Sequence, residues 1–560
     1  MFKARSSRPL VRRPPLLLAG LLLTGTMSLA AQAPSTLPQR LQPILQARFP
    51  ASGQPPTLLT ATGSFRGAPD LSCFYDRRKY APAWIGEKGL RPDADELIAA
   101  LADAPADGLD SERYRLADLR QRLAQTRASS TTGSPSLGDL AETDLRLTDA
   151  FLRLAADLRN GAVNPQLIYP DCEIDIPEVD FSSILESALA AGHVRAAIAD
   201  LAPAHAGYKA LKGALAATRA LAARGGWPAV PDGPPLKPGD RGERVAAVRA
   251  RLEASGELAP AAPAPSASPA ASAAAPRDLF DAPLQAALIK FQDQHGLDPD
   301  GRVGKGTLVA LNAPVEQSIR QIEVNLDRWR WLPHDLGDRY IMVNIAGFGL
   351  EVVEGGRPAL AMRVVAGKVT NRTPMFTGRM TNIVLNPYWN VPASIVRKEV
   401  IPHMERDPGY LEHEGMEVTR NGSRVEIKQK PGSKNALGRV KFLFPNRFDV
   451  YLHDTPSRSL FSRTVRSFSH GCIRIEKPVE LAEYLLKDDP TWTPKRIAAV
   501  IAKGKEAWVN IPKPLPVHLV YWTAWVDDAG TLQLRDDIYG RDKPLMDVLG
   551  TEKPAQPAAP

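Results

Sequence analysis

The sequence predicts a multidomain α+β chain built from a helical scaffold domain, a small three-helix module and a mainly β domain that carries an inserted cap. Three observations support this. Between Leu71 and Arg224 apolar residues recur at three- and four-residue steps, as at Leu147, Phe151, Leu154 and Leu158, and Gly161 stands where such a helix should stop. From Arg339 the period shortens to two, with Ile341, Val343 and Ile345 on one face of YIMVNIAG. Stretches dense in proline and glycine separate the blocks, above all GGWPAVPDGPPLKPGD at 225–240. A length of 560 residues with 44% apolar content is ample for several cores.

Residues 1–30 begin with Lys3, Arg5, Arg8, Arg12 and Arg13, continue through LLLAGLLLTG and end at small residues, which is the layout of a secretory signal peptide. An uncleaved anchor is the alternative, although the apolar run is short for a spanning helix. No later stretch is apolar enough to span a bilayer, so no stable transmembrane segment is expected after cleavage. Cleavage takes the net charge from +8 to +3, a balance too mild to argue for nucleic acid. Export implies an oxidising compartment, where Cys73 and Cys172 could pair and leave Cys472, the last of three cysteines, free.

Residues 31–70 read as a leader and 71–224 as the helical scaffold, whose aromatic start CFYDRRKYAPAWIG is expected in its core. A linker at 225–235 leads to the module at 236–313, interrupted at 258–276 by an Ala/Pro/Ser tract that cannot build a core. Residues 314–338 form a connecting helix. The β domain, 339–510, opens with a hairpin about Gly355-Gly356. Its strand pattern breaks at the charged stretch 397–436, taken as the inserted cap. A C-terminal extension, 511–550, and a disordered tail, 551–560, complete the chain.

Strand alternation over Phe448 to His453 sets Phe448, Val450 and Leu452 on one face and Asp449, Tyr451 and His453 on the other. After fifteen residues comes Ser469-His470-Gly471-Cys472, a return long enough to bring a second segment beside the strand end. A free thiol is only a few per cent ionised at neutral pH, and an adjacent imidazole can stabilise the thiolate, so the pair makes a nucleophile. Asp454 can orient the imidazole through its carboxylate or its backbone carbonyl. The carbonyl is preferred, because the side chain can be used in the turn Asp454-Thr455-Pro456. Gly471 removes a side chain beside the thiol and lets backbone amides approach an oxyanion. His453, His470 and Cys472 lack the close pairs of a zinc site, and no phosphate loop is present, so neither a metal nor another cofactor is expected. Arg474 either binds a carboxylate or braces its loop, while Tyr388 and Trp389 either line a site or pack in a strand.

His453, the fifteen-residue gap and SHGCIR together resemble the L,D-transpeptidase signature of the YkuD-like catalytic domain. Gly239-Asp240-Arg241-Gly242, Val245, Leu252, Phe291-Gln292, Gly296-Leu297 and Asp300-Gly301 resemble the short three-helix peptidoglycan-binding module. The order of scaffold, module and interrupted catalytic domain is similar to the large YcbB-type subgroup. Many small members follow the first histidine with glycine, where this chain has Asp454.

The resemblance implies an exported enzyme, periplasmic or wall-associated, acting on peptidoglycan stem peptides and glycan; no protein partner is indicated. Cys472 would attack the carbonyl before D-Ala of a tetrapeptide, and the thioester would pass to the side-chain amine of a second stem, giving a 3-3 cross-link. His453 would be base and then acid, with His470 and Gly471 in the oxyanion region and Ser469 shaping the pocket. Arg474, Tyr388 and Trp389 are the candidate substrate contacts, and a carbapenem would acylate Cys472. Water in place of the acceptor amine would make an L,D-carboxypeptidase. A non-catalytic wall-binding scaffold is the reading from another class, and intact His453 and Cys472 argue against it. Papain-like peptidases place the cysteine before the histidine, the reverse of the order here.

Overall fold

The computed structural model describes residues 36–49, 59–60, 63–64, 68–133, 135–260, 276–421 and 424–550. The expected signal segment, parts of the leader, most of the Ala/Pro/Ser tract and the C-terminal tail lie outside the described residues. Within them the chain is multidomain α+β, as its periodicities predict.

The helical body is organised about Leu137–Asn160, which buries Leu147, Phe151, Leu154 and Leu158. Ser136 caps its start, its side chain accepting from the Asp139 amide, and Gly161 ends it at a φ of 89°. A Cβ at Gly161 would lie 2.6 Å from the Trp331 indole nitrogen, so the close approach of that ring also demands glycine. Phe74, Tyr75 and Trp84 of the aromatic stretch are fully buried in this core. Asp144 holds them there, accepting from the Tyr75 hydroxyl at 2.5 Å and from the Ala83 and Trp84 amides at 3.0 and 2.8 Å. Helix Leu37–Gln46 buries Leu41 and Leu45 in the same core, so part of the expected leader is a packed piece of the scaffold.

The small module consists of helices Glu243–Ser255, Ala282–Gln294 and Lys305–Leu311 around Val245, Leu252 and Phe291. Helix Val315–Arg330 follows, packing Ile322 and Leu326 against Leu211 and Leu215 of the scaffold.

The β domain contains a sheet of ten strands. We label them β1 (Cys172–Glu173), β2 (Arg339–Asn344), β3 (Gly349–Glu354), β4 (Arg357–Gly367), β5 (Met375–Leu385), β6 (Val440–Leu443), β7 (Leu452–His453), β8 (Ser467–Ser469), β9 (Ile473–Ile475) and β10 (Ala507–Val520). The order is β6-β7-β9-β4-β3-β2-β10-β5-β1, with β8 beside β4, and β6 also pairs with β5 and so closes the sheet on itself. Ile341, Val343, Ile345, Val364, Ile383 and Leu452 fill the interior. The β3–β4 hairpin turns at Gly355 and Gly356, both at positive φ, as a two-residue turn matched to strand twist requires.

Three sequence expectations change here. The boundary at 510/511 cuts through β10, a strand paired with both β2 and β5. The prolines at 512, 514 and 516 suggest an exit from the sheet, but they fall at and beside a break in register between Asn510 and Leu515, which spares the ladder. Only Leu452–His453 of the expected strand 448–453 is extended. Asp449 has φ 53°, and the Asn446 side chain accepts from the Phe448 and Val450 amides to form a turn, while Val450 and Leu452 still face the core. Cys73 and Cys172 do not pair: Cys73 lies exposed on helix Ala68–Arg77, Cys172 is buried in β1 against the β domain core, and all three cysteines are free.

The cap begins before residue 397. Asn386, at φ 51°, breaks β5, and Trp389–Asn390 joins the hairpin Met416–Asn421 and Arg424–Gln429 as a third strand. A π-helical turn, Val396–Val400, leads into short helices over a core of Val391, Val400 and Ile427.

Candidate active site

Three adjacent strands assemble the site. Register pairs Lys441 of β6 with His453 of β7, and His453 with Arg474 of β9, so the imidazole stands between two cationic side chains on one face. Cys472 immediately precedes β9, where the Ile473 amide donates to the Tyr451 carbonyl and draws the nucleophile loop against the start of β7. The thiol is half-buried and points at the Asp449 carbonyl, 3.7 Å away.

His453 is 5% exposed, and its Nδ1 donates to the Asp454 carbonyl at 2.5 Å. That bond fixes the tautomer and leaves the Nε2 lone pair free to take a proton. Burial, with Arg474 and Lys441 alongside, pushes the imidazole down to about 3, against the opposing pull of the carbonyl. Burial likewise pushes the Cys472 thiol above its ordinary value, opposed by the Tyr451 contacts and by Lys441. The expected thiolate-stabilising imidazolium is therefore not the resting state. Thiol and imidazole are both neutral at pH 7, because each charged form would be desolvated and His453 already has two cationic neighbours.

Three family models match the chain. Residues 69–215 match the "Scaffold domain", 241–311 the "Putative peptidoglycan binding domain" and 338–497 the L,D-transpeptidase catalytic domain, YkuD. A curated protein of Haemophilus influenzae named "Putative L,D-transpeptidase" is 34% identical over 248 residues, covering 41% of this chain. The chain spans about half the length of that relative, 50%. Solved structures similar to parts of the chain include an L,D-transpeptidase from Mycobacterium smegmatis, at 15% identity and TM-score 0.17, covering 32% of this chain and 58% of that one. Another, from Xylanimonas cellulosilytica, is 18% identical with TM-score 0.17, covering 52% of this chain and 99% of that one.

Within residues 338–497 the motif residues take separate tasks. Gly471 has φ 115°, and a Cβ there would meet nothing nearer than 3.6 Å, so conformation rather than space requires the glycine. Its amide donates to Ser469 Oγ at 3.1 Å and its carbonyl accepts from Thr373 Oγ1 at 2.8 Å. Ser469 Oγ also donates to the Cys472 carbonyl at 2.5 Å, which makes it a brace of the loop rather than a wall of the pocket. The Gly471 amide is thus engaged, whereas the His470 and Cys472 amides make none of the described hydrogen bonds. The His470 side chain is held by the cap, its Nε2 2.7 Å from Glu399. Trp389 and Arg474 line a cavity under the cap, whereas Tyr388 is 40% exposed and outside that lining.

Sequence reading missed Lys441, Thr373 and Tyr539. The Tyr539 hydroxyl donates to the Gly367 carbonyl at 2.5 Å, and Gly367 in turn donates to Thr373, tying the C-terminal extension to the nucleophile loop. Nothing local signals these residues: Lys441 reaches His453 through strand register, and Thr373 and Tyr539 act through partners 98 and 172 positions away. Tyr451 was legible by alternation with His453, though not its place beside the thiol; burial, with Cys472 alongside, pushes its phenol well up, so it stays protonated.

The Asp454 carboxylate accepts from the Arg439 amide at 2.9 Å and the Thr455 amide at 2.7 Å, and it lies near Arg439 and Arg458. Since the main-chain carbonyl orients His453, Asp454→Ala should lower stability by about 1–3 kcal/mol through the two stranded amides. Turnover should fall less than about tenfold, the drop expected from a loosened loop rather than a lost proton acceptor. Chemical denaturation beside steady-state kinetics checks both.

Proposed function

We propose that this protein is a peptidoglycan L,D-transpeptidase that forms 3-3 cross-links through a Cys472 thioester, working after export in the periplasm or at the wall. The observation that supports it most is the His453 imidazole, neutral, fixed through Nδ1 and standing on the strand beside β9, whose first residue directly follows Cys472. Cys472 Sγ attacks the carbonyl between residue 3 and D-Ala of a donor tetrapeptide as its proton passes to His453 Nε2. The Cys472 amide donates to the developing oxyanion. Collapse breaks the C–N bond, and His453 returns the proton to the departing D-Ala amine. The side-chain amine of a diamino acid on a second stem then attacks the thioester, loses its proton to His453 and restores the thiol. Lys441 and Arg474 disfavour a long-lived imidazolium, so the proton is held only in passage. The three-helix module, resembling peptidoglycan-binding domains, would keep the enzyme on its polymer.

The test incubates purified protein with tetrapeptide muropeptides and resolves products by mass spectrometry. Dimers with release of D-Ala, absent for Cys472→Ala, are expected. Tripeptides without dimers would replace the transpeptidase with an L,D-carboxypeptidase, and unchanged substrate would leave only a wall-binding role.

A further inference from the structure

The face of the closed sheet that carries His453 continues well past the cysteine site. Direct register partners share a face, so the row Arg474, His453, Lys441 runs on through Val384 of β5 to Trp508 of β10. Val384 fixes the side, since its neighbours Ile383 and Leu385 fill the interior. Trp508 is 63% exposed, whereas every other described tryptophan is at least partly withdrawn from water. Leaving so large a ring in water is unfavourable, and an exposed aromatic rimmed by polar groups marks a contact surface. The ring is also held in place. The Glu506 carboxylate accepts from the Trp508 indole nitrogen at 3.3 Å and from the amide of Tyr388, itself an exposed aromatic, at 2.9 Å. Those two bonds use only part of the acceptor capacity of this exposed carboxylate. Burial lowers the Lys441 pKa while Cys472 and then Glu506 oppose it, so thiol and carboxylate lie within reach of one cation. Three strand spacings, about 14 Å, separate Trp508 from His453. Three residues link the scissile carbonyl of a stem to the sugar that bears it, up to about 11 Å of extended peptide, so that sugar comes within reach of the indole.

We infer that Trp508 and Glu506 form a glycan subsite on the β domain, the indole face lying under an N-acetylated sugar ring and the carboxylate accepting from its hydroxyl or amide groups. A pyranose suits this pair. Its C–H face is apolar and weakly positive against the negative face of the indole, and its rim carries the donors that a carboxylate takes up. The inference rests on the transpeptidase reading for where the stem lies, but it concerns the sugar and residues that take no part in the chemistry. It makes the enzyme read a stem together with the strand that carries it, independently of the three-helix module.

The test measures binding rather than turnover, using Cys472→Ala protein and calorimetry with two ligands, a disaccharide-tetrapeptide and the same tetrapeptide freed of its sugars. A tryptophan at the centre of a contact predicts a preference of roughly 10-fold for the sugar-bearing ligand. Adding Trp508→Ala should bring that preference below about twofold, through weaker binding of the sugar-bearing ligand. Trp508→Tyr, which keeps a ring face, should hold it above about threefold. Glu506→Ala, which frees the indole and removes the acceptor, should reduce it as well. Equal affinity for the two ligands, or no binding of either, overturns the inference. So does a preference that survives Trp508→Ala, which assigns the sugars to the three-helix module, and so does an equal weakening of both ligands, which assigns Trp508 to the peptide. A Trp508→Tyr protein as indifferent to the sugars as Trp508→Ala overturns the stacking. Failure of the transpeptidase reading shows separately, as muropeptides left unchanged by the wild type while the sugar preference persists.

Discussion

His453→Ala should lower acylation of Cys472 by about 10²- to 10⁴-fold, the range for a positioned general base, while Cys472→Ala should abolish it. The pH profile of the wild type separates this mechanism from a preformed ion pair. The free enzyme's kcat/KM follows the groups that must be in the right protonation state before substrate binds. His453 must be neutral, and its pKa is depressed to about 3, so it is competent at every pH above that value. The acid limb should therefore lie near pH 3 to 4, with a flat profile from about pH 5 to 8 and no step near the ordinary histidine value. A thiolate–imidazolium pair would instead require protonated His453 and would lose activity as pH rises through the histidine pKa. Carbapenem adduct formation, followed by intact mass at a series of pH values, reads this limb without interference from an acceptor amine. An inflection near pH 6 to 7 would sink the neutral-pair mechanism.

The parts of this site legible in the sequence are those set by local pattern. His453 and Cys472 stand out by spacing, and the wish of Asp454 to be used in its own turn pointed to the carbonyl rather than the carboxylate; the structure has that carbonyl 2.5 Å from Nδ1. What was not legible is what the closed sheet adds. Lys441 enters the site because β6 pairs with β7 as well as with β5, a register that no single strand records. Burial first, and then that pairing with Arg474 opposite, keeps the Cys–His pair neutral where an ion pair was expected. Trp389 read as a strand aromatic, and it is one, but in the three-stranded sheet of the cap, because Asn386 at positive φ ends β5 three residues earlier. Likewise Gly471 invited a steric reading, whereas its φ of 115° is the demand. His470, beside the nucleophile in sequence, is drawn off by Glu399 across the cap, a contact between segments seventy residues apart.

Arg330→Met should destabilise the protein by about 3–5 kcal/mol, the loss expected when a buried ion pair keeps only one member. Arg330 is fully buried in helix Val315–Arg330, its Nη1 3.1 Å from Asp327 Oδ1 and its Nη2 donating to the Tyr208 hydroxyl at 3.0 Å and to the Asp107 carbonyl. Asp327 Oδ1 also accepts from the Ala162 amide at 2.8 Å. Arg330 and Asp327 together thus join the scaffold at Asp107, the segment after the long helix at Ala162, helix Ala206–Ala223 at Tyr208 and helix Val315–Arg330 itself. The same helix carries Asn325 and Arg328, which bond Thr523 and Asp542 of the C-terminal extension, so a shift there reaches the segment that supports the nucleophile loop. Burial already raises the Asp327 pKa, and Arg330 is the largest influence opposing it. Without Arg330 that carboxyl rises further. A carboxyl whose folded pKa exceeds its unfolded value disfavours folding at neutral pH, and the penalty shrinks as pH falls toward the unfolded value near 4. The loss should therefore be smaller at pH 5 than at pH 7, and adding Asp327→Asn should recover part of it at pH 7. Urea midpoints of the two variants at both pH values test this. A loss independent of pH and untouched by Asp327→Asn would mean that Arg330 contributes through packing against Tyr208 alone.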